Sequence, residues 1–225
     1  MKILVLHGYT QTGESLRRNI GGLLCRLEEA VPDATFSFPT AHIRLQPRQD
    51  DATSSALNLR GWFEASQASN PPDGLVTSLG DLALVLESEG PFAGIIALSL
   101  GTILAAMLAS LLHGGTIIET HEETIRNVVE AMPYPECFAA LRHAPLRFLI
   151  LCAARAATES YYEWLFQEDL GVRMCYVVGD SDSVVSYEDR DAVPKRLIGR
   201  GEPIMIVHPG GHHLPTDRPS QVAIV

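Results

Sequence analysis

The stretch from Gly94 to His113 constrains the fold more than any other part of the chain. Five positions, Gly94-Ile-Ile-Ala-Leu98, carry no polar side chain, so a strand here has to be buried on both faces. Ser99 follows, and Leu100 to His113 is then rich in Leu and Ala, which are good helix formers. The run from Gly94 to Leu112 approaches the length of a membrane span. It is interrupted by Ser99, Gly101 and Thr102, and so divides into strand, sharp turn and helix, with a serine at the apex.

The same rhythm recurs along the chain. Lys2 to Leu6 is a buried strand ending in the polar, glycine-bearing loop His7-Gly8-Tyr9-Thr10-Gln11-Thr12-Gly13. Ser15 is positioned to cap a helix over Leu16 to Ala30. Thr35 to Phe38 reads as a short strand, and Leu75 to Glu89 as a helix with Leu75, Leu79, Leu82, Val85 and Leu86 on one face. Further strands are expected at 146–151, 173–178 and 203–207, and helices at 156–170 and 187–198, the latter either continuous or broken at Pro194. Before Val225 either a short final helix is expected or the sequence is truncated there.

Buried strands alternating with helices imply an α/β fold: one domain over 1–225, with a mostly parallel sheet of about six strands and helices on both faces. Two stretches break the rhythm. Residues 40–73 carry loop signals around Arg60-Gly-Trp-Phe63, and Trp62 and Phe63 either line an acyl pocket or anchor the loop to the core. Residues 114–145 hold a capping box, Thr120-His-Glu-Glu123, followed by Ile125, Val128, Val129 and Met132 at helical spacing. That stretch reads as a small lid-like insertion above the strand ends, or as a surface helix without a role in binding.

Composition narrows the function classes. A net charge of -10 at pH 7 argues against nucleic acid or an anionic membrane as partner, since both call for a basic surface. The four cysteines form no CxxC pair, and Cys152 and Cys175 lie in apolar runs. No secretory signal precedes the first strand, and a reduced, cytoplasmic protein is expected.

Ligands of such sheets bind outside the carboxyl ends of the strands. His7, Ser99, Asp182 and His212 all fall just after predicted strands. Ala97-Leu98-Ser99-Leu100-Gly101 is a variant of the G-x-S-x-G nucleophile elbow of α/β-hydrolases, with alanine in place of the first glycine. A serine hydroxyl needs a base to become a nucleophile, and the base needs a carboxylate to fix its tautomer. The chain order Ser99, Asp182, His212 is the one found in that superfamily. Asp180 competes with Asp182, and His213 with His212, while His208 is read as structural. The backbone N–H of Leu100 is one expected oxyanion donor. The other comes from the loop after the first strand, from Tyr9 or next from Thr10. His7, Thr10, Trp62 and Phe63 are the expected substrate-facing residues. A metal site built on His208, His212 and His213 is disfavoured by their spacing, so neither metal nor cofactor is expected.

Five motifs together carry a resemblance: Leu6-His-Gly-Tyr-x-Gln-x-Gly13, Arg60-x-Trp-Phe63, the Ser99 elbow, Gly179-x-x-Asp-x-Val-Val185 and His208-x-Gly-Gly-His-x-x-Pro215. They resemble the FSH family of serine hydrolases over nearly the whole chain. That family usually carries Gly-Phe-Ser-Gln-Gly at the elbow, so Ala97 and Leu100 are departures. The resemblance implies an α/β-hydrolase fold with its triad on Ser99, Asp182 and His212. It also implies a small-molecule acyl ester or thioester as substrate. The family includes small esterases and fungal thioesterases that release polyketide chains from a synthase, so an acyl carrier domain is an implied partner. The rival readings are a small-ester carboxylesterase, and a hydrolase fold recruited for cyclisation, acyl transfer or ligand binding.

Overall fold

The computed structural model describes residues 1–46, 58–64, 72–113, 131–155, 159–166 and 169–225. Six parallel strands form one sheet: β1 (Lys2–Leu6), β2 (Thr35–Ser37), β5 (Gly94–Leu98), β6 (Phe148–Cys152), β7 (Arg173–Gly179) and β8 (Ile204–His208). Their spatial order is β2-β1-β5-β6-β7-β8, which puts the strand carrying Ser99 near the middle. The register pairs Leu6 with Ala97 and Leu98 with Cys152, so the strands leading to the β1 loop, Ser99 and the β6 loop end level with one another.

Side chains alternate across this sheet into two cores. Leu4 and Leu6 of β1 point into one, with Ile95 and Ala97 of β5 and the helices α3 (Leu75–Glu89) and α4 (Leu100–His113). Ile3 and Val5 point into the other, with Ile96, Leu98 and Leu16, Leu23, Leu24 and Leu27 of the first two helices. Two-sided burial is what the unbroken apolar runs require. In α4 every residue from Leu100 to Leu112 is buried, which explains why that helix has no polar stripe.

Several elements differ from the sequence expectation. The helix predicted over 16–30 is two helices, α1 (Gly13–Asn19) and α2 (Gly21–Ala30), broken at Ile20. Its cap is Thr12 rather than Ser15. Thr12 Oγ1 accepts from the Ser15 N–H at 3.0 Å while Ser15 Oγ accepts from the Thr12 N–H at 2.9 Å, a reciprocal box that starts the helix earlier. The stretch 40–73 contains an unpredicted antiparallel ribbon, β3 (Ile43–Arg44) against β4 (Arg60–Gly61). Between β6 and β7 lies a 3₁₀ segment, Ser160–Phe166, in place of a longer α-helix. The predicted helix around 120–132 lies outside the described residues, apart from its end. Buried Met132 donates its N–H to Tyr161 O at 2.6 Å, and the short helix α5 (Glu136–Ala139) follows. Helices α6 (Tyr187–Arg196) and α7 (Arg218–Ile224) fall where expected, and α6 runs through Pro194 rather than breaking there. Among the described residues no helix is long and apolar enough to cross a membrane.

Candidate active site

Ser99 sits between β5 and α4 with φ 52, in the left-handed region that an L-residue adopts only when its surroundings impose it. The surroundings do so from both sides. Its N–H donates to Cys152 O of the neighbouring strand at 2.9 Å, and its carbonyl accepts from the Thr102 N–H at 2.9 Å and the Thr102 hydroxyl at 2.6 Å. Gly101 lets α4 lie against β1: a Cβ there would stand 2.8 Å from His7 O and 2.9 Å from Leu6 O.

The Ser99 Oγ is 2.8 Å from His212 Nε2, and His212 Nδ1 is 2.9 Å from Asp182 Oδ2. The other carboxylate oxygen of Asp182 accepts from the N–H groups of Val184 at 2.8 Å and Val185 at 3.1 Å. Burial by itself would raise the Asp182 carboxyl. The two backbone bonds and the His212 imidazole outweigh it and hold the group below the usual carboxylate value. The Asp182 side chain is 1% exposed and that of His212 is 21% exposed, so the carboxylate is shielded while the imidazole reaches the cleft.

The competitors for these positions are engaged elsewhere. Asp180 is exposed, and its N–H donates to His208 O. His213 bonds within its own loop, Nδ1 with Leu214 O at 2.7 Å and Nε2 with the Gly211 N–H at 3.3 Å. His208 is buried and accepts from the Gly210 N–H at 3.2 Å. Gly179 brings the β7 and β8 loops together, since a Cβ there would lie 2.3 Å from Gly211 O. Among the described residues no three His, Cys, Asp or Glu side chains are grouped as metal ligands.

A cleft of about 710 Å³ opens over Ser99 and His212, lined also by Gly8, Tyr9, Thr10, Gln11, Glu64, Arg155 and Val184. The expectation that Trp62, Phe63 and His7 face substrate is corrected here: all three are in the core, 1%, 2% and 0% exposed. They build the loop instead. Trp62 stacks on the His7 ring at 4.8 Å and donates its Nε1–H to His7 O at 2.9 Å. His7 Nδ1 bonds Gly8 O at 2.7 Å, and its Nε2 accepts from the Ala41 N–H at 3.0 Å. Burial pushes the His7 imidazole down to about 4, so this scaffold ring is neutral. Thr10 does reach the cleft, with φ 65, but its N–H is donated to Arg60 O at 2.9 Å. Among the described residues no hydrogen bond occupies the Tyr9 N–H.

Gln11, Glu64, Arg155 and Val184 were not read from the sequence as site residues. Gln11 had a signal, since it belongs to the β1-loop motif, and its Oε1 accepts from the Gly8 N–H at 3.0 Å. Glu64 lies just past β4 and Arg155 three residues past β6, but neither position carries a residue pattern that marks it as part of a site.

The family model for serine hydrolase (FSH1) matches residues 1–224. The chain belongs to the FSH1 serine hydrolase family. It is similar to the esterase OVCA2 of Xenopus tropicalis, 26% identical over 233 residues that cover 98% of this chain and 89% of that protein. It is also 25% identical to a Schizosaccharomyces pombe dihydrofolate reductase, covering 96% of this chain but only 44% of that longer protein. Among solved structures, Arabidopsis thaliana SOBER1 aligns with a TM-score of 0.59 at 16% identity, covering 100% of this chain and 95% of the other. Zea mays acyl-protein thioesterase 2 aligns with a TM-score of 0.55 at 17% identity, covering 96% and 87%. Likeness at these identities establishes the shared α/β-hydrolase fold.

Proposed function

We infer that this member of the family cleaves an acyl ester or thioester through an acyl-enzyme on Ser99. The observation that carries this reading is the continuous relay from the Ser99 hydroxyl through His212 to Asp182, at 2.8 Å and 2.9 Å. As Ser99 Oγ attacks the carbonyl carbon, His212 Nε2 takes its proton. Asp182 holds the Nδ1–H tautomer and stabilises the imidazolium. The oxygen that becomes anionic is held by the N–H groups of Leu100 and Tyr9, the second favoured because Arg60 O occupies the Thr10 N–H. The tetrahedral species collapses, the bond to the leaving oxygen or sulfur breaks, and His212 returns the proton to that atom. Water then attacks the acyl-Ser99 ester and gives its proton to His212. A free acid leaves and the serine is restored.

The finer reading is a thioester carried on a pantetheine arm, with release of a polyketide acyl chain from a carrier domain. It is supported by the resemblance to fungal pathway thioesterases and by the size of the cleft over Ser99 and His212, about 710 Å³. Intact mass after exposure to a fluorophosphonate tests the shared mechanism. A single adduct on wild type that is lost in Ser99→Ala and His212→Ala is expected. An unlabelled wild type refutes the activated serine. Comparing S-butyryl-pantetheine with 4-nitrophenyl butyrate then separates thioester from simple ester preference.

A further inference from the structure

We propose that Arg155 makes the cleft selective for acyl substrates bearing an anionic group, a carboxylate or a phosphate; this rests on the acyl-hydrolase reading of Ser99. Arg155 lies three residues past the end of β6, the strand beside the one that delivers Ser99. Ala153, with φ 48 and its N–H donated to Val177 O at 2.9 Å, turns the chain there, and exposed Arg155 lines the cleft. Arg155 also borders a smaller crevice lined by Ile103, Ala154, Phe166, Val193 and a second arginine, Arg196, which is itself paired with Glu163 at 3.3 Å. Among the described residues no carboxylate forms an ion pair with it.

The charge pattern gives this cation a task. The chain carries 27 acidic against 17 basic residues, so Arg155, the one Lys or Arg among the described residues that line the cleft, is not part of a general basic surface. Along the sheet edge the β1 loop, Ser99 and Arg155 follow in sequence, and Glu64 comes just after β4, whose Arg60 carbonyl holds the β1 loop. The cleft is therefore negative on its β1 side and positive on its β6 side. A neutral acyl chain gains nothing from a guanidinium there. A carboxylate or phosphate gains a forked, charge-assisted pair and is turned away from Glu64, which orients the substrate across Ser99.

The test uses binding, so that it does not depend on turnover. Ser99→Ala protein is titrated calorimetrically with three probes: S-butyryl-pantetheine, which is neutral; S-succinyl-pantetheine, anionic at the acyl end; and S-butyryl-4′-phosphopantetheine, anionic on the thiol side. At least one anionic probe is expected to bind about tenfold or more tightly than the neutral one, the scale of a hydrogen bond to a charged group. The probe that shows the preference tells which side carries the anion. Adding Arg155→Gln is expected to abolish the preference, and Arg155→Lys to keep part of it, with thermal melts showing that both fold. Equal affinities, no measurable binding of any probe, or a preference that survives Arg155→Gln overturns the proposal. Fluorophosphonate labelling of the wild type reports on the triad separately, so failure of one reading is distinct from failure of the other.

Discussion

Acidification should destabilise this protein through His7, by an amount that follows from its burial. The folded imidazole is held at about 4 against an ordinary value of 6.5. Between those values the unfolded chain binds a proton that the folded chain refuses. Stability is therefore fully present above pH 6.5 and lost as pH falls towards 4. At 1.36 kcal/mol per pKa unit, the loss reaches about 2 kcal/mol at pH 5 and about 3 kcal/mol below pH 4. The geometry explains why the ring cannot adapt: protonation would put a hydrogen on Nε2, which accepts from the Ala41 N–H at 3.0 Å, while Trp62 covers one face. Denaturant unfolding of wild type and His7→Gln at pH 7.5 and pH 5, followed by tryptophan fluorescence, isolates this group because the carboxylates titrate in both proteins. At pH 7.5 the variant is expected to be less stable, having lost the stack and the well-placed bonds. At pH 5 the gap should be about 2 kcal/mol smaller. A gap unchanged with pH, or a His7 NMR titration with its midpoint near 6.5 in the folded protein, would refute the reasoning.

Asp182→Asn is expected to keep the fold, because its carbonyl oxygen can still accept from the Val184 and Val185 N–H groups. The new amide then faces His212 Nδ1 and forces the wrong tautomer, so kcat should fall by about 10⁴-fold, checked with 4-nitrophenyl butyrate alongside circular dichroism. Gly101→Ala places a methyl 2.8 Å and 2.9 Å from two backbone carbonyl oxygens of β1, and should cost about 1–3 kcal/mol in denaturant unfolding. An unchanged unfolding midpoint in that variant would mean that α4 does not need its close seat on β1.

The middle of the parallel core was legible because β1 and β5 are buried on both faces. Ile3-Leu4-Val5-Leu6 and Gly94 to Leu98 leave no polar position from which to choose another structure. Ser99, Asp182 and His212 were legible because each follows an apolar strand, although β8, before His212, leaves Ile204, Met205 and Val207 exposed. What the sequence hid depends on long-range contact. The β3–β4 ribbon is only two residues per strand and holds Arg60 and Gly61, which have no strand signal of their own. The break at Ile20 inside a continuous helical pattern is likewise invisible to periodicity. Trp62 and Phe63 carried two readings from sequence, and burial decides for the scaffold. Arg155 enters the cleft only because Ala153 takes a left-handed turn, a conformation the sequence Ala153-Ala154-Arg155 gives no reason to expect.

The altered elbow can be understood from the same contacts. The two small positions flanking Ser99 do different jobs. Position 101 faces the backbone of β1, where a Cβ would meet the Leu6 and His7 carbonyl oxygens, so glycine there is a steric requirement of the helix-to-strand approach. Position 97 is inside β5, paired with Leu6 on one side and Leu151 on the other, and Ala97 is fully buried in the core shared with α3 and α4. The Ala97 methyl belongs to that packed core. Leu100 is 3% exposed, with its side chain in that same core, while the group proposed to act at the site is its backbone N–H. Both departures from the family pattern thus change side chains that pack into the core and leave the backbone of the turn intact.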